Sequence, residues 1–551
     1  MQPIKPSSLI DFAYKPIQIV SDTLERKLGI ISVVIISLSA MLGSGLFVLP
    51  ALAMAEMGGP GIWLAYVVAA LVVLPGAISK SELSTAMPTS GGSYVFIERT
   101  YGPLLGTISG LGLWATFLLK AAFALIGFKA YLWVFEELIG ISIDVEIAAL
   151  FLLVAITAVN IMGVTKIKKI QAPIVTAAVV FLVGLCIWAL LTMEMDWNRP
   201  TGPGAYGDGW GSIAATAAFV FVSYSGVTKI AAIAEEIKQP SKNIPSGILI
   251  SLIISTLLYA GIAYIMMAAV DPASYETTSG AREDPIYVFA NAVGGKIVGI
   301  IAAFLAVITM TSMALAGIMA ASRYPFAMAR DNLLPEAIEN VHSQFQTPHL
   351  AIFGTGLAMA VSIIVLPVQD VAKLASGFQI MIFIIINSAV IVLRRAASTH
   401  SWYSPEWKSP LFPFFQIMGI IGGVILVYMM GSKAIIGAAA CCVMGMISYY
   451  SYGKSRAHPM LTPWRTVRTE FTNVKQFERE KRWLVFHAAA DKTHPDHLTE
   501  GEFVHAMSII APHYDAFHVR NLFHEIDLNA NGVIDVDEFL QGIEDNIEEQ
   551  E

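Results

Sequence analysis

Residues 43–45 read Gly43-Ser44-Gly45 inside an otherwise apolar run from Leu28 to Ala55. Two glycines weaken a helix at the depth where a membrane span needs an unbroken main-chain ladder. An opening there frees N–H and C=O groups that only a ligand or a lined cavity satisfies, so the backbone itself becomes a binding surface. A second interruption, Ser223-Tyr224-Ser225-Gly226, falls within the run Ala214–Ala234. Two lysines lie at similar depth: Lys120 near the middle of the run 103–134, and Lys229 just after the second interruption. A charge at bilayer depth is costly unless it is paired or wetted. Lys229 is a candidate to replace a bound ion or to meet an acidic ligand group, and Lys120 a candidate proton carrier. The alternative for each is snorkelling to water or a structural pair.

A different chemistry stands near the C-terminus. Asp527, Asn529, Asn531, Asp535 and Glu538 put side-chain oxygens at positions 1, 3, 5, 9 and 12 of one loop. Gly532 holds position 6, where the chain must turn sharply, and Val533 supplies a main-chain carbonyl at position 7. An all-oxygen set suits a hard cation, and this spacing is the calcium loop of the EF-hand. Helical patterns flank it, at 514–526 and 537–547. Asp491–Glu502 is a degenerate twin, with Pro495 at position 5 and Asp496 in place of the turn glycine. It is expected to serve as a structural partner that binds calcium poorly. His494 and His497 read as surface histidines of a polar loop rather than zinc ligands.

The elements that position these residues follow from composition. The chain has 551 residues, 56% hydrophobic and 14% charged, which is a membrane composition. The net charge of −8 is dominated by the acidic tail, and no basic–aromatic cluster suggests nucleic acid. Cys186, Cys441 and Cys442 all lie in apolar runs, so no disulfide or zinc framework is indicated. The N-terminus lacks a cleavable-signal pattern, so the first span is expected to stay. Twelve apolar stretches are expected to span: 28–54, 61–79, 103–134, 144–164, 171–193, 211–234, 246–270, 287–321, 349–367, 372–393, 412–430 and 433–452. Basic residues, among them Lys80, Arg99, Lys238, Arg323 and Arg394, fall in alternate loops. The positive-inside rule then places both termini in the cytoplasm, expected to be that of a plasma-membrane protein. The two interruptions begin two five-span halves, the pattern of an inverted repeat. The expected domains are an N-terminal segment 1–27, a twelve-helix unit 28–453, a linker 454–475 and a soluble EF-hand pair 476–551.

Residues 25–450 resemble the amino acid–polyamine–organocation family of permeases. The likeness rests on Met41–Phe47, on Glu82 with Pro88 and Gly91–Tyr94, and on Ser225-Gly226 with Glu235-Glu236 and Asn243-Ile244-Pro245. Ala321-Ser322-Arg323, Ala329-Arg330-Asp331 and Leu393-Arg394-Arg395 complete it. The resemblance implies an all-α membrane protein with a five-plus-five inverted repeat plus two helices, and amino acids or related amines as substrates. By position, amides at Gly43, Ser44 and Gly45 would receive a carboxylate. The carbonyls of Met41, Val222, Ser223 and Ser225, beside Gly226, would receive the amine. Val227 would shape the pocket. Helix-end partial charges agree with this division. Close helix packing is the alternative use of the glycines. Glu82, Arg323 and Asp331 read equally as gate contacts or as ordinary loop charges.

The family's coupling devices are missing. Ala178 stands where some relatives carry a lysine, and Ala316 and Gly317 offer no sodium-binding hydroxyls. No phosphate loop, nucleophile or metal cluster in the spans suggests an enzyme. The sequence therefore reads as an amino-acid permease modulated by calcium. The alternative is a calcium-responsive amino-acid sensor that kept the permease fold without transport.

Overall fold

The computed structural model describes residues 28–547 apart from 88–91, 141–143, 164–166, 232–233, 235–236, 458–461, 473–481, 491–495 and 511–515 and positions 279, 346, 399, 401, 484 and 488. The segment 1–27, Glu235, Glu236 and Asp491–Pro495 thus lie outside the described residues.

The first apolar stretch forms three helices: α1 (Ile30–Met41), α2 (Ser44–Phe47) and α3 (Leu49–Met57). Next come α4 (Ile62–Ala86), α5 (Ser93–Tyr101), α6 (Pro103–Tyr131), α7 (Trp133–Ile139), α8 (Val145–Ile161) and α9 (Ile167–Thr192). The sixth stretch forms α10 (Trp210–Val220), a 3₁₀ segment (Phe221–Gly226) and α11 (Val227–Ala231). After α12 (Pro240–Ala269), the strands β1 (Glu276–Thr277) and β2 (Gly280–Ala281) pair antiparallel. Then follow α13 (Pro285–Arg330, kinked at Gly295), α14 (His349–Val365), α15 (Val368–Arg395), α16 (Phe414–Met429) and α17 (Ser432–Ser451).

Leu, Ile and Ala fill these helices, and their starts are marked chemically. Pro103, Pro240 and Pro285 open α6, α12 and α13, where a missing N–H costs nothing. The Asp144 side chain caps α8 by accepting from the Glu146 and Ile147 amides. Among the described residues, eight helices are long and apolar enough to cross a membrane. Four shorter apolar helices, α1, α8, α14 and α16, account for other expected stretches. The outward faces of α14, α16 and α17 expose Leu357, Ile364, Ile421 and Ile447, a surface suited to lipid rather than water. The large core gathers where α6 packs on α13 and α15.

Two residues read as loop bases lie inside the protein. Lys80 is within α4, fully buried, with its Nζ 4.2 Å from the centre of the Phe383 ring. Arg99 is buried in α5. The period of α4 continues past the apolar stretch and carries Lys80 inward. Glu82 is also fully buried, and its carboxylate accepts two hydrogen bonds from Arg394 at 2.8 and 2.7 Å. The Tyr403 hydroxyl and the Ser409 amide complete its shell at 2.6 and 2.7 Å. Asp331 accepts from the Tyr94 hydroxyl at 2.6 Å, whereas Arg323 is exposed.

Within the expected linker, Pro463 begins another helix, α18 (Pro463–Thr472). Val467 packs against Val392 and Ala396 at the end of α15, and His400 hydrogen-bonds Thr466 at 2.9 Å. The tail contains β3 (His497–Leu498), α19 (Glu500–Ile510), α20 (Ala516–Ile526), β4 (Ile534–Asp535) and α21 (Val536–Ile547). Leu498 pairs with Ile534 in an antiparallel ribbon. Phe486, Phe503, Phe523, Phe539 and Ile543 form a separate core beneath it.

Candidate functional site

The two interruptions behave differently. Between α1 and α2 the helix opens: Leu42 has φ −75°, ψ 118° and Gly43 has φ 173°, ψ −126°, both outside the helical region. The first amides of α2 therefore have no preceding turn to bond. The second interruption does not open. Phe221–Gly226 tightens into a 3₁₀ helix, so the expected release of the Val222, Ser223 and Ser225 carbonyls is smaller than in an unwound loop. Its glycine, Gly226, packs against the backbone of Ala40 and Met41.

The structure brings these segments into direct contact. A Cβ on Gly45 would lie 2.6 Å from Ser223 Oγ, and one on Gly226 would lie 2.7 Å from the Met41 main-chain nitrogen. Only glycine permits either approach. Met41, Ser44, Val222, Ser223, Ser225 and Val227 are all buried, and Val227 lies within the core. Ser223 Oγ is buried with no hydrogen-bond partner among the described residues. Such an orphan marks a place where a ligand or water is accommodated.

The last carbonyls of α1 are each held by a donor from a different helix. Ser39 O accepts from Gln171 of α9 at 3.3 Å, Ala40 O from Lys120 of α6 at 2.8 Å, and Met41 O from Tyr259 of α12 at 2.7 Å. Lys120 also donates to Ser225 Oγ at 2.7 Å, which ties α1 to the 3₁₀ segment. Its amino group sits at the negative end of the α1 dipole and is buried rather than snorkelling to the surface. Lys120 and Lys229 line one small cavity together with Ser39, Gln171 and Met313. Its volume is about 20 Å³, room for a single water. On the other side, the Ser376 hydroxyl of α15 accepts from the Val222 amide at 3.0 Å and donates to Phe219 O at 2.8 Å.

Tyr259, Tyr66, Gln171, Ser376 and Met313 were not singled out in the sequence. The signal that could have found the tyrosines is a polar tip on a residue in the middle of an apolar span, since such tips need partners.

The loop 527–538 is held by hydrogen bonds among its own side chains and amides. Gly532 has φ +81°, a turn that favours glycine at position 6. Asp527 accepts from the Asn531 and Gly532 amides at 3.1 and 2.9 Å, and Asp535 from the Glu538 amide at 2.8 Å. Glu538 accepts from the Asn529 side chain at 2.8 Å and the Asp535 amide at 3.0 Å. Among the described residues no three His, Cys, Asp or Glu side chains gather as a metal cluster, so any cation here would also need Asn529, Asn531 and the Val533 carbonyl.

Comparison with known proteins agrees with the membrane unit. Residues 28–451 match the amino acid permease family. The chain is 29% identical to a branched-chain amino acid permease of Bacillus subtilis over 458 residues, 80% of this chain and 95% of the relative. It is 26% identical to a methylthioribose transporter of the same organism, over 82% of this chain and 99% of the relative. A chloroplastic cationic amino acid transporter of Arabidopsis thaliana is 29% identical over 58% of each chain. With an opened span, a second span pressed against it and this match, the chain belongs to the amino acid permease family, of the amino acid–polyamine–organocation superfamily.

Proposed function

We propose that the chain is a secondary active transporter or exchanger of amino acids that works by alternating access through twelve spans. The opening at Leu42–Gly43 carries this reading. Amides at the start of α2 offer partial positive charge to a carboxylate, and carbonyls of Met41 and Ser223 offer partial negative charge to an amine. Held between them, a zwitterion would need no charged side chain from the protein. The relative named for branched-chain amino acids makes leucine, isoleucine and valine the first substrates to test.

Alternating access needs a closure on each side of the site. Lys373 at the start of α15 pairs with Glu56 of α3 at 2.9 Å, and Arg394 at its end pairs with Glu82. At 1.5 Å per residue these pairs lie about 31 Å apart along the helix, a bilayer's thickness. The Arg394 end carries the basic loops and is the cytoplasmic face. Lys120 is the candidate coupling residue, because it links the carbonyl end of α1 to Ser225 and any change in its charge acts on both segments at once.

The tail reads as an EF-hand pair, and its oxygen donors fit calcium. Asp527, Asn529, Asn531, Asp535, Glu538 and the Val533 carbonyl would hold the ion. When bound, calcium supplies the positive charge that lets the loop's carboxylates converge. The helix α18 joins the membrane unit to this tail and rests on the end of α15, which is the route by which the tail would bias the Arg394 closure.

Uptake of labelled amino acids into proteoliposomes, with and without internal calcium, tests both parts. Calcium-dependent uptake, abolished by deleting residues 473–551 while basal uptake persists, supports the whole reading. Tight amino-acid binding without flux would replace the transporter with a sensor. No uptake or binding of any amino acid or amine refutes it.

A further inference from the structure

The hydroxyl of Tyr259 sits where a substrate's amino group would. It donates to Met41 O at 2.7 Å and lies 3.4 Å from Ser223 O. One carbonyl ends α1 and the other belongs to the 3₁₀ segment, so a single phenol meets both interrupted spans. Its ring packs against two other tyrosines. It stacks on Tyr66 with centroids 5.2 Å apart and 14° between planes, and meets Tyr224 edge-on at 5.4 Å. The Tyr66 hydroxyl donates to Gly45 O at 3.1 Å, and that of Tyr224 to Tyr66 O at 2.9 Å. Tyr259 is 1% exposed.

A phenol has one proton to give, and here it serves Met41 O well and Ser223 O poorly. An ammonium has three and engages both carbonyls at full strength. We propose that Tyr259 is a placeholder for the substrate's amino group, a positioning residue that satisfies the last carbonyl of α1 while the carrier is empty and yields it when the carrier is loaded. This rests on the amino-acid transport reading above. The consequence is kinetic. Net uptake requires the empty carrier to return across the membrane, whereas exchange cycles only the loaded one. A buried carbonyl without its donor lowers the population of the closed empty state about tenfold. The loaded state loses nothing, because the ammonium takes over the bond.

The test is Tyr259→Phe, which keeps the ring stack and removes only the hydroxyl. Proteoliposomes are loaded with buffer for net uptake, or with unlabelled L-leucine for exchange, and labelled L-leucine is the probe. Net uptake is expected to fall about tenfold, and exchange to stay within about twofold of wild type. L-Leucine binding to the purified variant is expected to equal or exceed that of wild type. Weaker binding, parallel loss of both transport modes, or no change in either would overturn the proposal. A wild type that neither binds nor moves any of the twenty amino acids refutes the transport reading itself. A wild type that transports while the variant fails in both modes refutes the placeholder alone.

Discussion

The two interrupted spans share composition and differ in outcome. Gly43-Ser44-Gly45 opens the helix, and Ser223–Gly226 only tightens it. The difference lies in what surrounds each glycine. Gly43 faces the end of a flexible side chain, with Met313 Sδ 2.2 Å from the Cβ an alanine would add. Gly226 faces backbone, with Met41 N at 2.7 Å and the Ala40 carbonyl carbon at 2.8 Å. The main chain opens at Gly43, and Gly226 lets another helix approach. Small residues in a membrane span therefore have two uses, and packing distance separates them where composition does not.

Gly226→Ala should produce the largest effect, because neither backbone can yield. It is expected to cost about 3 kcal/mol and to remove most transport, measured as melting temperature and proteoliposome uptake. Gly43→Ala should be much milder in stability, since the Met313 thioether can rotate away, and equal melting losses in the two variants would break the comparison. Lys120→Met is next. Ala40 O loses its donor and the tie between the two segments goes with it, for about 2 kcal/mol and a tenfold or greater loss of uptake. Ser376→Ala touches only the tightened segment. It removes one acceptor and one donor around Val222 and Phe219, for about 1 kcal/mol.

The smallest effect on the site comes from a group far from both interruptions. Burial pushes the His400 imidazole down to about 4, while its Nδ1 accepts from Trp402 at 3.3 Å and Nε2 meets Thr466. The unfolded segment takes up a proton below its ordinary value of about 6.5, before the folded one does, so α18 docking is fully present above that pH and weakens as pH falls. From pH 7 to pH 5 the loss is about 2 kcal/mol, read as protease accessibility at Arg465 and removed in His400→Gln. Amino-acid binding at the interruptions should not follow the same curve.

Much of this was legible in the sequence. The apolar stretches matched the helices, the two interruptions fall where the first and sixth stretches change their winding, and Gly532 turns where the loop spacing needs a glycine. Three things were not legible, for physical reasons. Whether a small-residue cluster opens or tightens depends on the neighbours it meets, which periodicity does not report. Lys80 and Arg99 looked like loop charges because hydropathy falls after Ser79, although α4 continues to Ala86 and Arg99 lies in the short helix α5. Tyr66 and Tyr259 were hidden because a tyrosine in an apolar span reads as core until the acceptor of its hydroxyl is known.

The central claim is that the opened span and the tightened one recognise both charged ends of an amino acid. Competition against labelled L-leucine uptake in proteoliposomes tests it most directly, using unlabelled L-leucine, N-acetyl-L-leucine and L-leucinamide. The account predicts that only the free amino acid competes well, and that blocking either end weakens competition about a hundredfold, as expected when a buried charge partner is lost. Equal competition by either blocked analogue would contradict it.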